Sequence, residues 1–427
     1  MRNFQTLICT AALVLSSMAA NAQAQDQWVA TWAASPQSAR FSFPLPARAT
    51  TPAPAGSQTS PPPPLFPAPP TFKNQTVRMI ARSSIGGRRV RVHLSNEYGS
   101  GPLLIGAAHI ALRDKDSAIV VASDRALTFS GKPSFAIPPG ADIVSDVVDL
   151  DVPKLADLVV SVYIPGEDSS PTNHLTGLHT TYISKEGDLT AAPAFTDATT
   201  RQSWYWLSEI DVLAPQKSAL IVAFGDSITD GATSTADTDQ SWPSQLARRL
   251  AANKATANLA IVNQGISGNR LLADGMGVSA LTRFDHDVLS QPGVKWVIVL
   301  EGINDIGLGS RGGPQAAVTA EDLIAADKQI IERAHLHGIQ VIGATLTPYS
   351  GAAYYSEDGE VTREAVNQWI RTGKAFDAVI DFDAATKDAD HPKQIRPDYN
   401  IRDHLHPNDA GYKAMADAVD LSIFAAR

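Results

Sequence analysis

Four apolar runs of strand length, separated by stretches with helical spacing, constrain the second half of this sequence most tightly. They are Leu220-Ile221-Val222-Ala223-Phe224, Leu259-Ala260-Ile261-Val262, Trp296-Val297-Ile298-Val299-Leu300 and Ile339-Gln340-Val341-Ile342-Gly343. A strand with one wet face alternates apolar and polar residues, whereas a strand that is apolar almost throughout is covered on both faces. Helical spacing runs from Trp242 to Ala252 and from Ala320 to His337. Ala375 to Phe382 closes the strand series, and a last helix is expected from Asn408 to Phe424. Buried strands alternating with helices predict an α/β fold, a parallel sheet between two helical layers.

The first half reads differently. Val90-Arg91-Val92-His93-Leu94 alternates, as does Leu158-Val159-Val160-Ser161-Val162-Tyr163, and turn signals such as Gly86-Gly87, Tyr98-Gly99 and Pro138-Pro139-Gly140 recur. Short strands at that spacing predict an all-β sandwich or jelly roll. Between Pro44 and Pro70, 11 of 27 residues are proline. Such a stretch lacks the N–H donors that helix or sheet needs. It is read as a long loop, because Trp28-Val29-Ala30-Thr31-Trp32 just before it already has a strand pattern. The expected division is a leader at 1–24, a β domain at 25–215 with its Pro-rich loop at 44–70, and an α/β domain at 216–427.

The leader is read as a signal peptide. Arg2 supplies a positive start, Leu7 to Leu15 an apolar core, and Ala20-Asn21-Ala22 or Ala22-Gln23-Ala24 a small-residue cleavage site. The core is shorter than the ~20 residues that span a bilayer, so no membrane anchor is expected after cleavage. Cys9 is the one cysteine of the chain. Its removal with the leader would leave a protein without disulfides or a thiol nucleophile, suited to a bacterial periplasm or the outside of the cell. The net charge of −9 argues against a nucleic-acid partner, which demands a basic footprint.

Four polar clusters follow the predicted strands in order. Gly225-Asp226-Ser227-Ile228-Thr229 ends the first, Gln264-Gly265-Ile266-Ser267-Gly268-Asn269 the second and Gly302-Ile303-Asn304-Asp305 the third; Asp403-His404-Leu405-His406-Pro407-Asn408 precedes the last helix. Ligands of open parallel sheets bind at the carboxyl ends of strands, which is where these clusters fall. Each has a plain reading: Ser227 as a helix cap, the glycines as turns, Asn304 bonded to local backbone, His406 as a loop residue. Together they hold what acyl transfer needs. A serine hydroxyl requires an imidazole to take its proton, and that imidazole requires a carboxylate to orient it. The tetrahedral intermediate requires donors aimed at its oxyanion.

In this order the four clusters resemble the blocks of the SGNH, or GDSL-type, esterase and lipase superfamily. The resemblance spans about 216 to 427 and implies an SGNH-type hydrolase with no cofactor. It implies Ser227 as nucleophile, His406 as base and Asp403 as its carboxylate partner, with Ser227, Gly268 and Asn304 as the oxyanion donors. Ile228 departs from the family's leucine by an apolar exchange. Thr31-Trp32-Ala33-Ala34-Ser35 and the β-rich half resemble a subgroup of secreted bacterial acylhydrolases, some associated with xylan degradation. That implies an ester of a small molecule or glycan as substrate.

Other residues weigh less. His404 is the rival base, but neighbours on an extended chain point to opposite sides, whereas Asp403 and His406 can meet across a turn. Asp388, Asp390, His391, Asp398, Asp403, His404, His406 and Asp409 crowd one stretch without tetrahedral zinc spacing, so no metal is expected. Asp226, Glu301 and Asp305 are read as structural. Pro348 to Arg363, with three tyrosines, suits a substrate-lining loop or a surface insertion. Arg78, Arg82, Arg88, Arg89 and Arg91 are read as a solvated strand face, and His174 and His179 have no companions in sequence that suggest chemistry. The rival functions are a lipase or lysophospholipase, an acyltransferase with the same triad, and a non-catalytic carbohydrate-binding protein.

Overall fold

The computed structural model describes residues 27–39, 70–309 and 317–424. The expected signal peptide and all of the Pro-rich loop except Pro70 lie outside the described residues.

The C-terminal part is an α/β domain on a five-stranded parallel sheet. Its strands are β1 (Ala219–Gly225), β2 (Leu259–Gly265), β3 (Val294–Leu300), β4 (Gln340–Ala344) and β5 (Ala378–Ile380). Their spatial order is β2-β1-β3-β4-β5. The order reverses at β1. Right-handed crossovers therefore send α2 (Trp242–Ala252), between β1 and β2, to one face, and α5 (Ala320–Leu336), between β3 and β4, to the other. Thr319 starts α5 with a capping box shared with Asp322. The closing strand is shorter than its apolar run predicts. Asp381 accepts from the Ala384 N–H and starts α7 (Phe382–Thr386). The last helix, α8 (Asp409–Ala418), begins on Asn408 and stops at Val419, short of the expected Phe424.

The N-terminal region is mostly antiparallel β structure. One sheet joins Gln27–Ala33, Leu207–Ala214, Gly87–Ser95 and Val148–Val152, with Asp142–Val144 beside the third. A second contains Phe72–Arg82, Asp157–Asp168 and Ala107–Leu112. Alternate residues of both sheets, Val77, Met79 and Ala81 from one and Val90, Val92 and Leu94 from the other, enter one apolar core. That core continues into Phe224, Ile261 and Phe284 of the α/β domain. The β region also covers the open edge of β2, whose Ile261 N–H donates to Ser84 Oγ (3.1 Å). An edge strand left bare would offer such groups to another chain. No helix among the described residues is long and apolar enough to cross a membrane.

Two expectations about the β region are corrected. Arg78 does not lie on a solvated face. It is fully buried, stacks on Phe195 and donates to Ser161 Oγ and to the carbonyls of Ser117, Thr190 and Ala192. The loop that follows Glu186 folds over the strand and supplies the Thr190 and Ala192 carbonyls. His174 and His179 do have companions, but these come from the α/β domain some 60 residues later, beyond any local pattern. His174 Nε2 lies 3.0 Å from Asp230, and His179 Nε2 lies 2.9 Å from Asp239.

His179 gives the contact between the two parts a pH dependence. Burial alone would lower its pKa, but the neighbouring carboxylates of Asp237 (3.6 Å) and Asp239 (2.9 Å) outweigh burial and raise it to about 9. A histidine raised in the folded state contributes stability that is complete below about pH 6.5 and is lost as pH climbs through about 9. Thermal or urea unfolding between those limits should show a decline on the order of 1–3 kcal/mol that His179→Gln flattens. An identical slope in both proteins would contradict this assignment.

Candidate active site

The sheet register brings three of the sequence clusters together. Gly225 of β1 pairs with Gly265 of β2 on one side and Leu300 of β3 on the other. Ser227, Gly268 and Asn304 therefore emerge from the same end of adjacent strands, beside the point where strand order reverses. The close quarters require glycine at 225. A Cβ there would stand 2.2 Å from Thr229 Oγ1 and 2.6 Å from the Leu300 carbonyl oxygen.

Ser227 opens a single helical turn, α1 (Ser227–Asp230), immediately after β1. Asp226 caps it by accepting the Ile228 N–H (2.9 Å). Gly268 has φ +77°, the left-handed conformation that glycine adopts without penalty. A Cβ there would strike Met276 Cγ at 2.6 Å. Among the described residues, the N–H groups of Ser227 and Gly268 meet no backbone acceptor. Asn304, in α4 (Ile303–Gly309), donates one amide hydrogen to the Asn269 carbonyl (2.9 Å) and has a second to give.

The last cluster reaches Ser227 from beyond β5. Ser227 Oγ is 2.9 Å from His406 Nε2, and His406 Nδ1 is 2.6 Å from Asp403 Oδ2. Asp403 Oδ1 accepts the N–H groups of Leu405 and His406, fixing the carboxylate under the ring. Burial works to raise Asp403, but the hydrogen bonds from the His406 ring and from these N–H groups prevail and hold it at about 2. The carboxylate is therefore ionised at neutral pH. The segment is not extended, as the argument against His404 assumed. Arg402 and His404 both have positive φ, and the His404 ring packs against Gly351 instead of Ser227. The tight turn still produces the expected meeting of Asp403 and His406.

The acids read as structural bind backbone. Asp305 accepts from Leu271 N–H (2.6 Å) and Leu272 N–H (2.9 Å), pinning the chain that follows Gly268. Burial raises it to about 6 against those two bonds. Burial also raises Asp226 to about 7, and raises Glu301, beside Asp226, well above the carboxylate range. In the stretch weighed for metal, Asp388 accepts the N–H groups of Asp390 and His391, while Asp409 receives Thr235. A separate group, His93 with buried Glu209 and Asp211, lies in the β region, where the Arg91 guanidinium (2.6 Å) pairs with Asp211 and His93 lies 2.9 Å from it.

Two further residues border the site, one from the loop read as substrate-lining or as a surface insertion and one that the sequence reading missed. Tyr354, in the tyrosine-bearing loop, has its hydroxyl 3.3 Å from Asn304 Oδ1 and its ring against Gly307. Arg283 lies almost wholly buried beneath the strand ends. It donates to the carbonyls of Gly225 (2.9 Å) and Gln264 (2.7 Å), to Asn269 Oδ1 (2.9 Å), to Ser35 Oγ (3.1 Å) and to Asp287 (2.7 Å). An arginine inside an apolar helical stretch, Ala280-Leu281-Thr282-Arg283-Phe284, was the one available signal. Replacing it by methionine takes the guanidinium away from these buried acceptors and leaves Asp287 without this cation. Arg283→Met should lose about 3–5 kcal/mol in urea unfolding; a loss under about 1 kcal/mol would mean that water replaces the guanidinium.

Residues 221–419 match the family model of the GDSL-like lipase/acylhydrolases. A search of curated proteins finds no match. Among solved structures, the chain is similar to a GDSL-like lipase from Bacteroides thetaiotaomicron at 20% identity and TM-score 0.37, covering 49% of this chain and 90% of that one. It is similar to a variant of an acetyl xylan esterase from Geobacillus stearothermophilus at 20% identity and TM-score 0.39, covering 49% and 96%. The C-terminal part of this chain is a GDSL-like lipase/acylhydrolase domain.

Proposed function

We propose that the chain is an exported serine esterase that hydrolyses short acyl or aryl esters, acetyl groups on carbohydrate among them. The observation that carries this reading is the unbroken contact from Ser227 Oγ through His406 to Asp403, at 2.9 and 2.6 Å. In the proposed mechanism His406 Nδ1–H donates to Asp403, leaving Nε2 to take the Ser227 proton as Oγ attacks the ester carbonyl. The N–H groups of Ser227 and Gly268 and the Asn304 amide receive the oxyanion. His406 then protonates the leaving alcohol. Water, deprotonated by the same imidazole, releases the acid from Ser227.

Two side chains support a small acyl group. Met276 abuts Gly268 and Tyr354 abuts Asn304, so the ground beside the proposed oxyanion donors is already bordered. Export rests on the leader pattern of Arg2, Leu7–Leu15 and the alanine-flanked cleavage site.

The test is hydrolysis of p-nitrophenyl esters from acetate to palmitate by the wild type and Ser227→Ala. Turnover should peak at short chains and fall on the order of 10⁴–10⁶-fold in the variant. A long-chain optimum would make the protein a lipase, and turnover retained by Ser227→Ala would end the serine mechanism. Asn304→Ala should cost on the order of 10²–10³ in kcat; a wild-type rate would remove Asn304 from the site.

A further inference from the structure

We propose that the β region sets the geometry of the oxyanion donors, with His174 as a positioning residue that acts through Asp230. This rests on the esterase reading above and adds a task for the β region within it.

The argument starts at Asp230. This residue ends the single turn that Ser227 begins: its N–H bonds to the Asp226 carbonyl, and the Gly231 N–H bonds to the Ser227 carbonyl. Its carboxylate divides its two oxygens. Oδ2 accepts the N–H (2.9 Å) and the hydroxyl (2.6 Å) of Ser267, the residue immediately before Gly268. Oδ1 faces His174 Nε2 at 3.0 Å. One carboxylate thus ties the turn carrying the Ser227 N–H to the loop carrying the Gly268 N–H. The spacing of those two donors depends on where Asp230 is held.

It is held from the β region. His174 is 97% buried and lies on a strand of that region. Its Nδ1 is 2.9 Å from the Ser35 carbonyl, and a carbonyl only accepts, so Nδ1 carries a proton. Nε2 meets a carboxylate, which completes a cationic ring. Burial opposes that charge, but the charge and hydrogen bond of Asp230 outweigh it and raise the histidine above its usual range. A buried ion pair of this kind is stiff, because moving either partner strands the other's charge.

The contact continues along the chain. Thr176 Oγ1 donates to Ser267 Oγ (3.1 Å), and the Leu178 carbonyl accepts the Asp237 N–H (2.8 Å). Leu178 also lies against Gly231, 3.1 Å from where a Cβ would stand. Residues 174–179 of the β region therefore brace the nucleophile turn, the loop after it and the oxyanion loop at once. Oxyanion donors act within a few tenths of an ångström of their distance to the developing charge, and a misplacement of about 1 Å can cost on the order of 10²-fold.

The experiment compares His174→Phe and His174→Gln in the full chain, with p-nitrophenyl acetate as substrate and Ser227→Ala alongside. Phenylalanine keeps the ring volume and removes both donors; glutamine restores a donor where Nε2 stood. The expected result is a fall of roughly 10–100-fold in kcat for His174→Phe, with KM within about twofold, and recovery of most of the loss in His174→Gln. A loss confined to KM, or equal kcat in the Phe and Gln variants, overturns the proposal. If His174→Phe does not fold, His174→Asn replaces it. The shorter amide keeps the contact to Ser35 and gives up the one to Asp230, so kcat should fall in Asn and not in Gln. A wild-type rate in the His174 variants beside an inactive Ser227→Ala overturns this inference alone. Activity of Ser227→Ala equal to wild type overturns the esterase reading with it.

Discussion

One buried guanidinium holds the end of the sheet on which the rest of the site is built. Where parallel strands stop pairing, their last carbonyls lose the neighbours that satisfied them, and a buried carbonyl without a donor is costly. Arg283 donates to two carbonyls there, Gly225 of β1, which also accepts the Ile266 N–H, and Gln264 of β2, and adds Asn269 in the loop beyond. Its own charge is answered by Asp287 at 2.7 Å and its face by the Phe224 ring. The strand ends are thereby fixed relative to each other before any functional side chain is placed. Ser227, Gly268 and Asn304 inherit that order, being only two to four residues past the last paired positions.

The same guanidinium reaches Ser35 of the β region, and Ser35 in turn donates to Gln264 Oε1 (2.7 Å). With His174, Thr176 and His179 this makes the contact between the two parts polar and dense close to the site; further off, Val29 packs on Gly293 and the Ala30 N–H donates to the Pro292 carbonyl. An apolar contact would hold the parts together without fixing angles. Charged and hydrogen-bonded partners buried together are directional, and their cost when misaligned favours one arrangement.

The α/β half was legible because its signals are local. Continuous apolar runs mark buried strands, and the clusters that follow them fall on strand ends by construction. Ser227, Gly268, Asn304, Asp403 and His406 were all named from those clusters, and the structure brings Ser227, His406 and Asp403 into direct contact. What stayed hidden depends on distant pairing. Nothing near His174 announces Asp230, 56 residues away, and nothing near Arg78 announces the loop that buries it. Alternation correctly marks the strand at 87–95, but it cannot say which outward residue another segment will cover. The short β5 was misjudged because an apolar run continues past Asp381, where a capping carboxylate starts a helix instead.

The central claim is that Ser227 is a nucleophile primed by His406. The most direct measurement is labelling of the full chain with a fluorophosphonate, followed by peptide mass spectrometry, in the wild type and His406→Ala. The account predicts one adduct, on Ser227, formed rapidly in the wild type and slowed by several orders of magnitude without the imidazole. An adduct on another residue, or labelling of Ser227 at the same rate in both proteins, would contradict it.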